Sequence, residues 1–418
     1  MAQGLTRLRG FQDLIGPSAD LVTEIERRWR SVAERHNFHE IRLPLLERVE
    51  LYQRTSGETS DIVEKQMYVF ADRDEEQTMV ALRPEGTAGA ARAYIDAGFD
   101  RSDPEQRFYY TGPMFRRERP QKGRYRQHHQ FGVEIFGRPD PAADAELLIM
   151  IAELQRELGL EFRFEINSIG DAQCRPQFRE AVYQFGKAHL AELCEDCKRR
   201  LEQNPLRLLD CKIDAKLAES APKSSDYLCD PCKEHFAQVK QMAEKAGVEL
   251  TENPRLVRGL DYYNRTTFEV IASGLGAQST VVAGGRYDGL VELLGGKPSP
   301  GIGFGSGLER LMLAMEAASP HPSEIIDAAV IGVGDKIELA TPYVALQLTS
   351  KNLRVETMST KRSLRALLSR ANKIGARYAV IVDDEGLQTD EFILRDLRAS
   401  TQKRVEIGKL ADEIKPGK

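Results

Sequence analysis

The chain has 418 residues, 41% hydrophobic and 29% charged, with a formal net charge of -5. That length exceeds one typical core and predicts two or three domains of a soluble globular protein. The acidic balance excludes a protein held to nucleic acid mainly by bulk electrostatics, although a local basic patch is allowed. No apolar run reaches a membrane span, the candidate LLIMIAEL being broken by Glu153. The N-terminus MAQGLTRLRGFQDLIGP lacks the apolar core of a signal peptide. We therefore expect a cytoplasmic protein whose six cysteines are thiols or metal ligands, not disulfides.

Leu21, Val22, Ile25, Trp29 and Val32 recur at helical spacing and predict a helix over 19–35. FHEIRLPLLER follows as a strand interrupted at Pro44. From Thr78 to Gly137 the β-rich pieces MVALRPEGTAG, RFYYTGPMFRRE and HQFGVEIFG alternate with Gly/Pro punctuation. Pro141–Leu158 reads as a helix and FRFEINSIG as a strand. Residues from about 171 to 247 turn Lys- and Glu-rich, cysteine-bearing and mostly helical, as an insertion would. Strands return with VRGLDYYNRTTFEV, read as one strand from Val257, and continue through STVVAGGRYDGL to GIGFGSGLERLMLAM. ASPHPSE, Ala318–Glu324, reads as a linker, giving a first domain over 1–322. Beyond it come IDAAVIGVG, a helix to about Lys351, LRVETM, a helix over 363–374 and ARYAVIVDD. That βαβαβ order predicts a compact α/β domain over 325–418 with a largely parallel sheet.

Three segments read as chemistry. In FRRERPQKGRYRQHHQFGVEIFG, Arg116, Arg117, Arg119, Lys122, Arg124 and Arg126 crowd a turn marked by Pro120 and Gly123. This is an antiparallel hairpin with a basic loop, suited to a polyphosphate or a nucleic-acid end. A solvated surface hairpin is the plain alternative. GIGFGSGLERLMLAM is Gly-rich and then helical, but its lack of a Lys-Ser/Thr ending fits neither the P-loop nor the dinucleotide fingerprint. Close packing of strand on helix is the better reading there, with Arg310 one turn into the helix. VRGLDYYNRTTFEV sets Arg258 beside Gly259, then Asp261, a tyrosine pair and Asn264, residues that suit a ligand better than a solvated face. In the insertion, Cys194-x2-Cys197 and Cys229-x2-Cys232, with Cys211 between, form a pattern for one structural zinc on four thiolates. Reduced, partly exposed thiols on two helices are the alternative.

These pieces have a family resemblance. The first helix running into FHEIRLPLLE resembles motif 1 of the class II aminoacyl-tRNA synthetases, the basic hairpin motif 2, and GFGSGLERLML motif 3. RGLDYYNRTTFE and AGGRYDGL resemble the two histidine-specific motifs of histidyl-tRNA synthetases of the bacterial type. LRPEGTAG and GRYRQHHQFGVEIFG are similar to the same family. The likeness runs from LRGFQDLIGP to DEFILRDLRASTQKRVEI, essentially the whole chain. It implies an α+β catalytic domain on an antiparallel sheet flanked by helices, a helical insertion and a C-terminal α/β anticodon-binding domain. It also implies a ligase that uses ATP with Mg2+ to join L-histidine to its cognate tRNA. The route would run through histidyl-adenylate to the 3′-terminal adenosine.

The resemblance assigns roles. Arg258 and Arg116 would be the catalytic cations on the α-phosphate, where negative charge builds in the transition state. Both would also contact the histidine, with Glu85, Gly86, Thr87 and Gln130 around its amino group. Glu134 would meet one ring nitrogen and Tyr263 the other, with Tyr262 and Tyr287 as walls. Only one of the tyrosine pair need reach the ligand, because adjacent strand residues point to opposite faces. ATP would be held by Arg116, Glu118 at the adenine amino group, Arg124, His128 and Arg310 stacked on the base. His128 departs from the family, which commonly has Phe there. Glu309 reads as a helix-surface charge. Arg119 and Gln121 would touch the acceptor end of the tRNA, where histidine tRNAs carry an extra 5′ guanosine. Lys361, Arg362, Arg365, Arg370, Lys373 and Arg377 would form a basic face on the anticodon-binding domain. A homodimer paired through motif 1 is expected, with Trp29, Phe38 and Pro44 near or beneath the interface. The rival is a histidine-sensing paralogue such as the regulatory subunit of ATP phosphoribosyltransferase. It should lack the motif arginines and the C-terminal domain.

Overall fold

Helix α1 (Pro17–Arg35) begins on a proline, whose fixed φ suits the first helical turn and brings the start forward of the expected Ala19. Its apolar stripe buries Ile25, Trp29 and Val32 completely. The computed structural model describes residues 5–56, 62–258, 262–275, 279–318, 326–334, 340–358 and 363–414. Gly259, Asp261, Lys361, Arg362 and the linker from residue 319 onward lie outside them. The chain divides into two compact units, Met1–Ser319 and Pro320–Lys418.

In the first unit the expected motif 1 strand is two pieces, β1 (His39–Glu40) and β2 (Leu46–Arg48), in different sheets. Pro44 lies between them and lacks the N–H that a ladder needs, so the chain changes sheet there. A small sheet joins β2 to β3 (Tyr68–Ala71) and β4 (Met79–Leu82), in the order β2-β4-β3. Helix α2 (Thr87–Asp96) follows, then the long hairpin of β5 (Gln106–Phe115) and β6 (Gln127–Phe136), paired antiparallel along its length. After α3 (Pro141–Leu158) comes β7 (Phe162–Ser168).

The Lys- and Glu-rich segment contains α4 (Arg175–Ala188), α5 (Glu195–Arg200) and α6 (Asp230–Lys245), then β8 (Leu250–Glu252). Strands β7 and β8 pair in parallel, so a crossover must join them. Helix α6 supplies it and sends Phe236, Val239 and Ala243 into the main core. The segment before α6 is the elaboration on that crossover. Strands β9 (Asn264–Ala272), β10 (Thr280–Arg286) and β11 (Gly301–Gly307) and helix α7 (Leu308–Ala318) complete the unit. The main sheet has eight strands in the order β1-β5-β6-β11-β10-β9-β7-β8, antiparallel except where the two edge strands join. One face packs on α1, α3, α6 and α7. There Trp29 stacks on Phe131 with centroids 4.9 Å apart and planes 6° apart. The other face carries the site.

The second unit holds β12 (Ile326–Gly332), α8 (Ala340–Thr349), β13 (Val355–Met358), α9 (Leu364–Lys373), β14 (Ala376–Val382), β15 (Glu391–Asp396) and β16 (Thr401–Glu406). Its sheet order is β13-β12-β14-β15-β16. Only β13, β12 and β14 are parallel. EFILRD and TQKRVE form an antiparallel hairpin, so the sheet is mixed and not largely parallel. The parallel strands are buried on both faces. Val330 and Val380 meet Val344 and Leu348 on one side, and Ile331 and Ala379 meet Leu367 and Ala371 on the other. Continuous apolar runs such as AAVIG follow from that double burial. On α9, Arg365 and Lys373 are exposed, while Arg370 pairs with Glu356 at 2.9 Å.

Candidate active site

The floor of the site is laid by β6 and β11. In their register Gln130 faces Gly307, Gly132 faces Gly305 and Glu134 faces Gly303. A Cβ on Gly303 would fall within the Glu134 carboxylate, one on Gly305 within the Gln130 amide, and one on Gly301 against the Tyr287 ring. The alternate residues Ile302 and Phe304 go into the helix-side core. GIGFGSG is therefore a strand with one bare face. Its glycines serve the close approach of site side chains, more than the packing of strand on helix that the residues suggested.

Over this floor lies a cavity of about 390 Å³. Among the described residues its walls include Glu85 and Thr87 from the start of α2, and Arg116, Glu118, Arg124, His128 and Gln130 from the basic hairpin. Arg258, Tyr262 and Tyr263 come from the approach to β9, and Arg310 from α7. A larger groove of about 830 Å³, along α4 and residues 202–206 of the insertion, holds none of the residues singled out in the sequence.

One part of the cavity is acidic and buried. Glu85 accepts hydrogen bonds from the amides of Thr87 (2.6 Å) and Ala88 (3.0 Å). Burial still raises its carboxyl above the ordinary range. Glu134, fully buried, accepts from Thr87 Oγ1 (2.7 Å), Tyr110 Oη (3.1 Å) and Tyr287 Oη. Burial pushes its carboxyl up to about 8 despite those donors, and the nearby Glu85 adds to the rise. Two carboxylates sharing one dry region favour a cationic ligand, which would relieve both.

The opposite character prevails around the hairpin. Arg116 donates from Nε to the Pro84 carbonyl (2.8 Å), and its two terminal nitrogens have no partner among the described residues. Burial presses against its charge, while Glu118 and Glu85 support it. It thus feels the carboxylates of both parts. Arg310 donates to the Thr280 carbonyl (2.6 Å), and burial, Arg124 and Arg116 all lower its pKa. Cations that disfavour one another in a closed space suit a polyanion. His128, half-buried among them, is pushed well below the usual imidazole range by desolvation and by Arg116 and Arg310, so its ring is neutral. Glu118 is ion-paired with Arg124.

Arg258 is held, not free. Its guanidinium pairs with Glu269 on β9, which also accepts from Thr280 Oγ1 (3.0 Å). The Arg258 Nε is buried without a partner among the described residues. The strand expected from Val257 begins only at Asn264, so Tyr262 and Tyr263 sit in the turn before it, where period-2 alternation does not apply. Both line the cavity, with rings 4.6 Å apart and both edge-on to Tyr287. The expectation that only one of the pair would reach the site is corrected on that ground.

The remaining expected residues stand around the cavity or apart from it. Glu134 and Tyr287 lie beneath the cavity wall, hydrogen-bonded to each other, and Gly86 presses against the Tyr110 ring. Arg119 and Gln121 are on the exposed loop outside the cavity. Glu309 is no surface charge. It is 4% exposed, lines the cavity and accepts from the His129 amide (2.9 Å) and Nδ1 (2.9 Å). The two CxxC pairs do not share a site. Cys229 and Cys232 group with Cys174 and Asp171, and Cys194 and Cys197 with Cys211 and Asp214. Sequence reading missed Glu269, and it missed Asp210 and Lys212, which reach the cavity from the insertion. It also missed that Arg286 of AGGRYDGL is fully buried, pairing with Asp144 and Asp288.

Residues 10–311 match the family described as Histidyl-tRNA synthetase, and residues 327–416 match the Anticodon binding domain. The histidine–tRNA ligase of Koribacter versatilis is 44% identical over 98% of this chain and 95% of its own length. That of Thermotoga petrophila is 44% identical over 96% of each. The apo S. aureus histidyl-tRNA synthetase superposes with a TM-score of 0.80 at 30% identity, covering 98% of this chain and 100% of that one. An ATP phosphoribosyltransferase regulatory subunit/histidyl-tRNA synthetase from Bacillus halodurans shares the fold, with a TM-score of 0.66 at 20% identity over 92% and 99%. A family match over most of the length, with relatives alike from end to end in both units, fixes what the motifs suggested: the chain belongs to the histidyl-tRNA synthetase family.

Proposed function

We propose that the cavity holds L-histidine and ATP side by side, and that the chain attaches histidine to its cognate tRNA through histidyl-adenylate. The observation that carries this is the division of one cavity into a buried carboxylate region and an arginine region, with Arg116 in contact with both influences. The ammonium of histidine would settle at Glu85 and Thr87, with Gln130 beside it. Its imidazole would go toward the tyrosines, with Glu134 acting from behind them. Both ring nitrogens would then be matched, and an apolar side chain would leave buried polar groups unpaired. The carboxylate would face Arg116 and Arg258.

The carboxylate then attacks the α-phosphate, and pyrophosphate leaves. Charge grows on the phosphoryl oxygens, where fixed guanidinium groups act with little reorganisation. Arg116 offers donors that have no partner among the described residues, and Glu269 holds Arg258 in place. Arg124, Arg310, Glu118 and the neutral ring of His128 would enclose the nucleotide. Mg2+ would come with ATP. Glu269 and Glu309 already have protein partners, which fits a cation that takes its ligands chiefly from phosphate oxygens and water. In the second half-reaction a hydroxyl of the terminal adenosine of tRNA attacks the adenylate carbonyl, and AMP leaves. Arg119 and Gln121 would contact the acceptor end, and the unit after residue 320 the anticodon. Location in the cytoplasm follows from this reading, since tRNA is charged where translation runs.

A homodimer is part of the same proposal. Trp29 and Phe38 are packed inside their own unit, so they would support such an interface from beneath. Leu45, Leu46, Val69, Phe70 and Met79, on or beside the small sheet, are each between 41% and 46% exposed. The test of the whole reading is histidine-dependent exchange of pyrophosphate into ATP, followed by charging of histidine tRNA. Histidine binding without exchange would leave a sensor in place of a ligase. Light scattering at micromolar concentration tests the dimer.

A further inference from the structure

We infer that the insertion holds two separate structural zinc ions, each on three cysteines and one aspartate. The first set is Asp171, Cys174, Cys229 and Cys232, the second Cys194, Cys197, Cys211 and Asp214. Within each set the ligand atoms all lie within 4.8 Å of one another. The Cys174 and Cys232 sulfurs are 3.8 Å apart, and those of Cys194 and Cys211 are 3.7 Å apart. With Zn–S bonds of about 2.3 Å, the edge of a regular tetrahedron is about 3.8 Å. The same compactness leaves no room for the corners of an iron–sulfur cluster.

The two sets are built alike. Leu-Cys-x2-Cys-Lys occurs at 193–198 and again at 228–233. In each, the first cysteine is the extended residue ahead of a helix, with φ,ψ of -65°,160° at Cys194 and -71°,161° at Cys229. Each pair meets a second pair of the same spacing in which aspartate replaces one thiol: Asp171-x2-Cys174 in one set and Cys211-x2-Asp214 in the other. The second set is nested within the chain between the halves of the first. Four ligands in two x2 pairs is the ligand count of a closed structural site.

The segment also needs such a tie. Between α4 and α6 its regular pieces are a few residues each, such as Pro205–Leu208, Ala215–Ala218 and Ser224–Tyr227. Helices that short do not hold themselves, and segments of this size commonly use metals or disulfides. All six thiols are free. The sites also adjoin the cavity. Cys211 lies between Asp210 and Lys212, which line it. Arg175, next to Cys174, donates to the Tyr263 carbonyl at 2.6 Å. The ions would therefore fix the two places where the insertion meets the site.

The experiment is metal analysis of untagged full-length protein purified with reductant and without chelator. We expect about two zinc ions per chain, about one after Cys194→Ser or Cys229→Ser, and none in the double variant. Loss of all metal on either single change would mean one shared site and would overturn the proposal, as would zinc-free wild type that takes up none when zinc is supplied. Because a variant can fail to fold, wild-type protein stripped of metal and titrated with Co2+ gives a second reading. Thiolate-to-cobalt absorption should rise to an end point at two equivalents. An end point at one, or no such absorption, contradicts the two-site assignment.

Discussion

The cavity has two kinds of wall, and they are positioned by different physics. On the sheet side, Gln130 and Glu269 stand on strands whose opposite faces are core: Phe131 and Phe268 beside them are 1% and 0% exposed. Burying each such ring favours the fold by about 1.5–3 kcal/mol, so these residues are placed by long-range packing. On the insertion side, Asp210 and Lys212 sit on a loop among short helices, with Cys211 between them. Nothing like a strand register holds that loop, and local ties must do so. The sheet wall should thus be unforgiving of small steric changes, and the insertion wall should respond to its ties.

The largest effect is expected at Arg258, which the sheet wall holds through Glu269. On the proposed reading Arg258→Ala removes a cation from the α-phosphate, and it leaves the half-buried Glu269 without its guanidinium partner, bonded to Thr280 alone. Loss of one preorganised charge at a reacting centre typically lowers the rate by about 10²–10³-fold. Pyrophosphate exchange should fall by that order while histidine binding, measured calorimetrically, falls less. Near-normal exchange would remove Arg258 from the chemistry. Next comes the floor. Gly303→Ala puts a methyl into the Glu134 carboxylate. A displacement near 1 Å costs on the order of 100-fold in rate, and overpacking about 1–3 kcal/mol in stability. Gly295→Ala is a suitable control for the second effect. Its φ of 92° strains the backbone, but open space surrounds it, so exchange should persist.

The same comparison explains what was legible in the sequence. The hairpin of β5 and β6 could be read because a two-residue period, a Gly/Pro turn and a basic loop are all local. The tyrosine pair was read onto a strand because nothing local marks that the turn before Asn264 breaks the alternation. Glu309 was misread because its partner, His129, is 180 residues away in sequence. Glu269 was overlooked for a related reason: a glutamate in TTFEV looks like a solvated strand residue until Arg258 is folded against it. In the insertion the CxxC pairs were visible. Which pair joins which third thiol depends on a nested fold that spacing alone does not encode. The aspartates at matching spacing were the available signal. Fold class and family came through because their motifs carry both period and chemistry.

The acidic region gives the sheet wall a pH signature of its own. Glu134 has its carboxyl raised to about 8 in the folded state, against an ordinary value near 4.5. Between those values the folded protein keeps a proton that the unfolded chain gives up. Stability from this group is therefore fully present below about pH 4.5, declines as pH rises, and levels off above about 8. Glu134→Gln has no such proton to lose. Comparing urea midpoints of both proteins from pH 5 to 9, we expect wild type to decline more, by up to a few kcal/mol. Parallel curves would mean that Glu134 is ionised throughout.

The smallest effect should appear outside both walls, on the exposed loop of the basic hairpin. Gln121 and Arg119 are absent from the cavity, and the Gln121 amide pairs with the Arg124 carbonyl at 3.0 Å, so the loop's own backbone fixes its shape. A side chain there can affect only what approaches from outside. If that is the acceptor end of tRNA, Gln121→Ala should leave pyrophosphate exchange unchanged, because neither histidine nor ATP meets it. Charging should fall by only a few-fold, since one neutral hydrogen bond to a base edge is worth about 1 kcal/mol. The loss should be larger for tRNA bearing the extra 5′ guanosine than for tRNA lacking it, narrowing the preference between them. Parallel charging assays on the two RNAs, with wild type and variant, measure the ratio directly. An unchanged ratio would assign the 5′ end to some other part of the chain, and a fall in exchange would place the loop inside the chemistry after all.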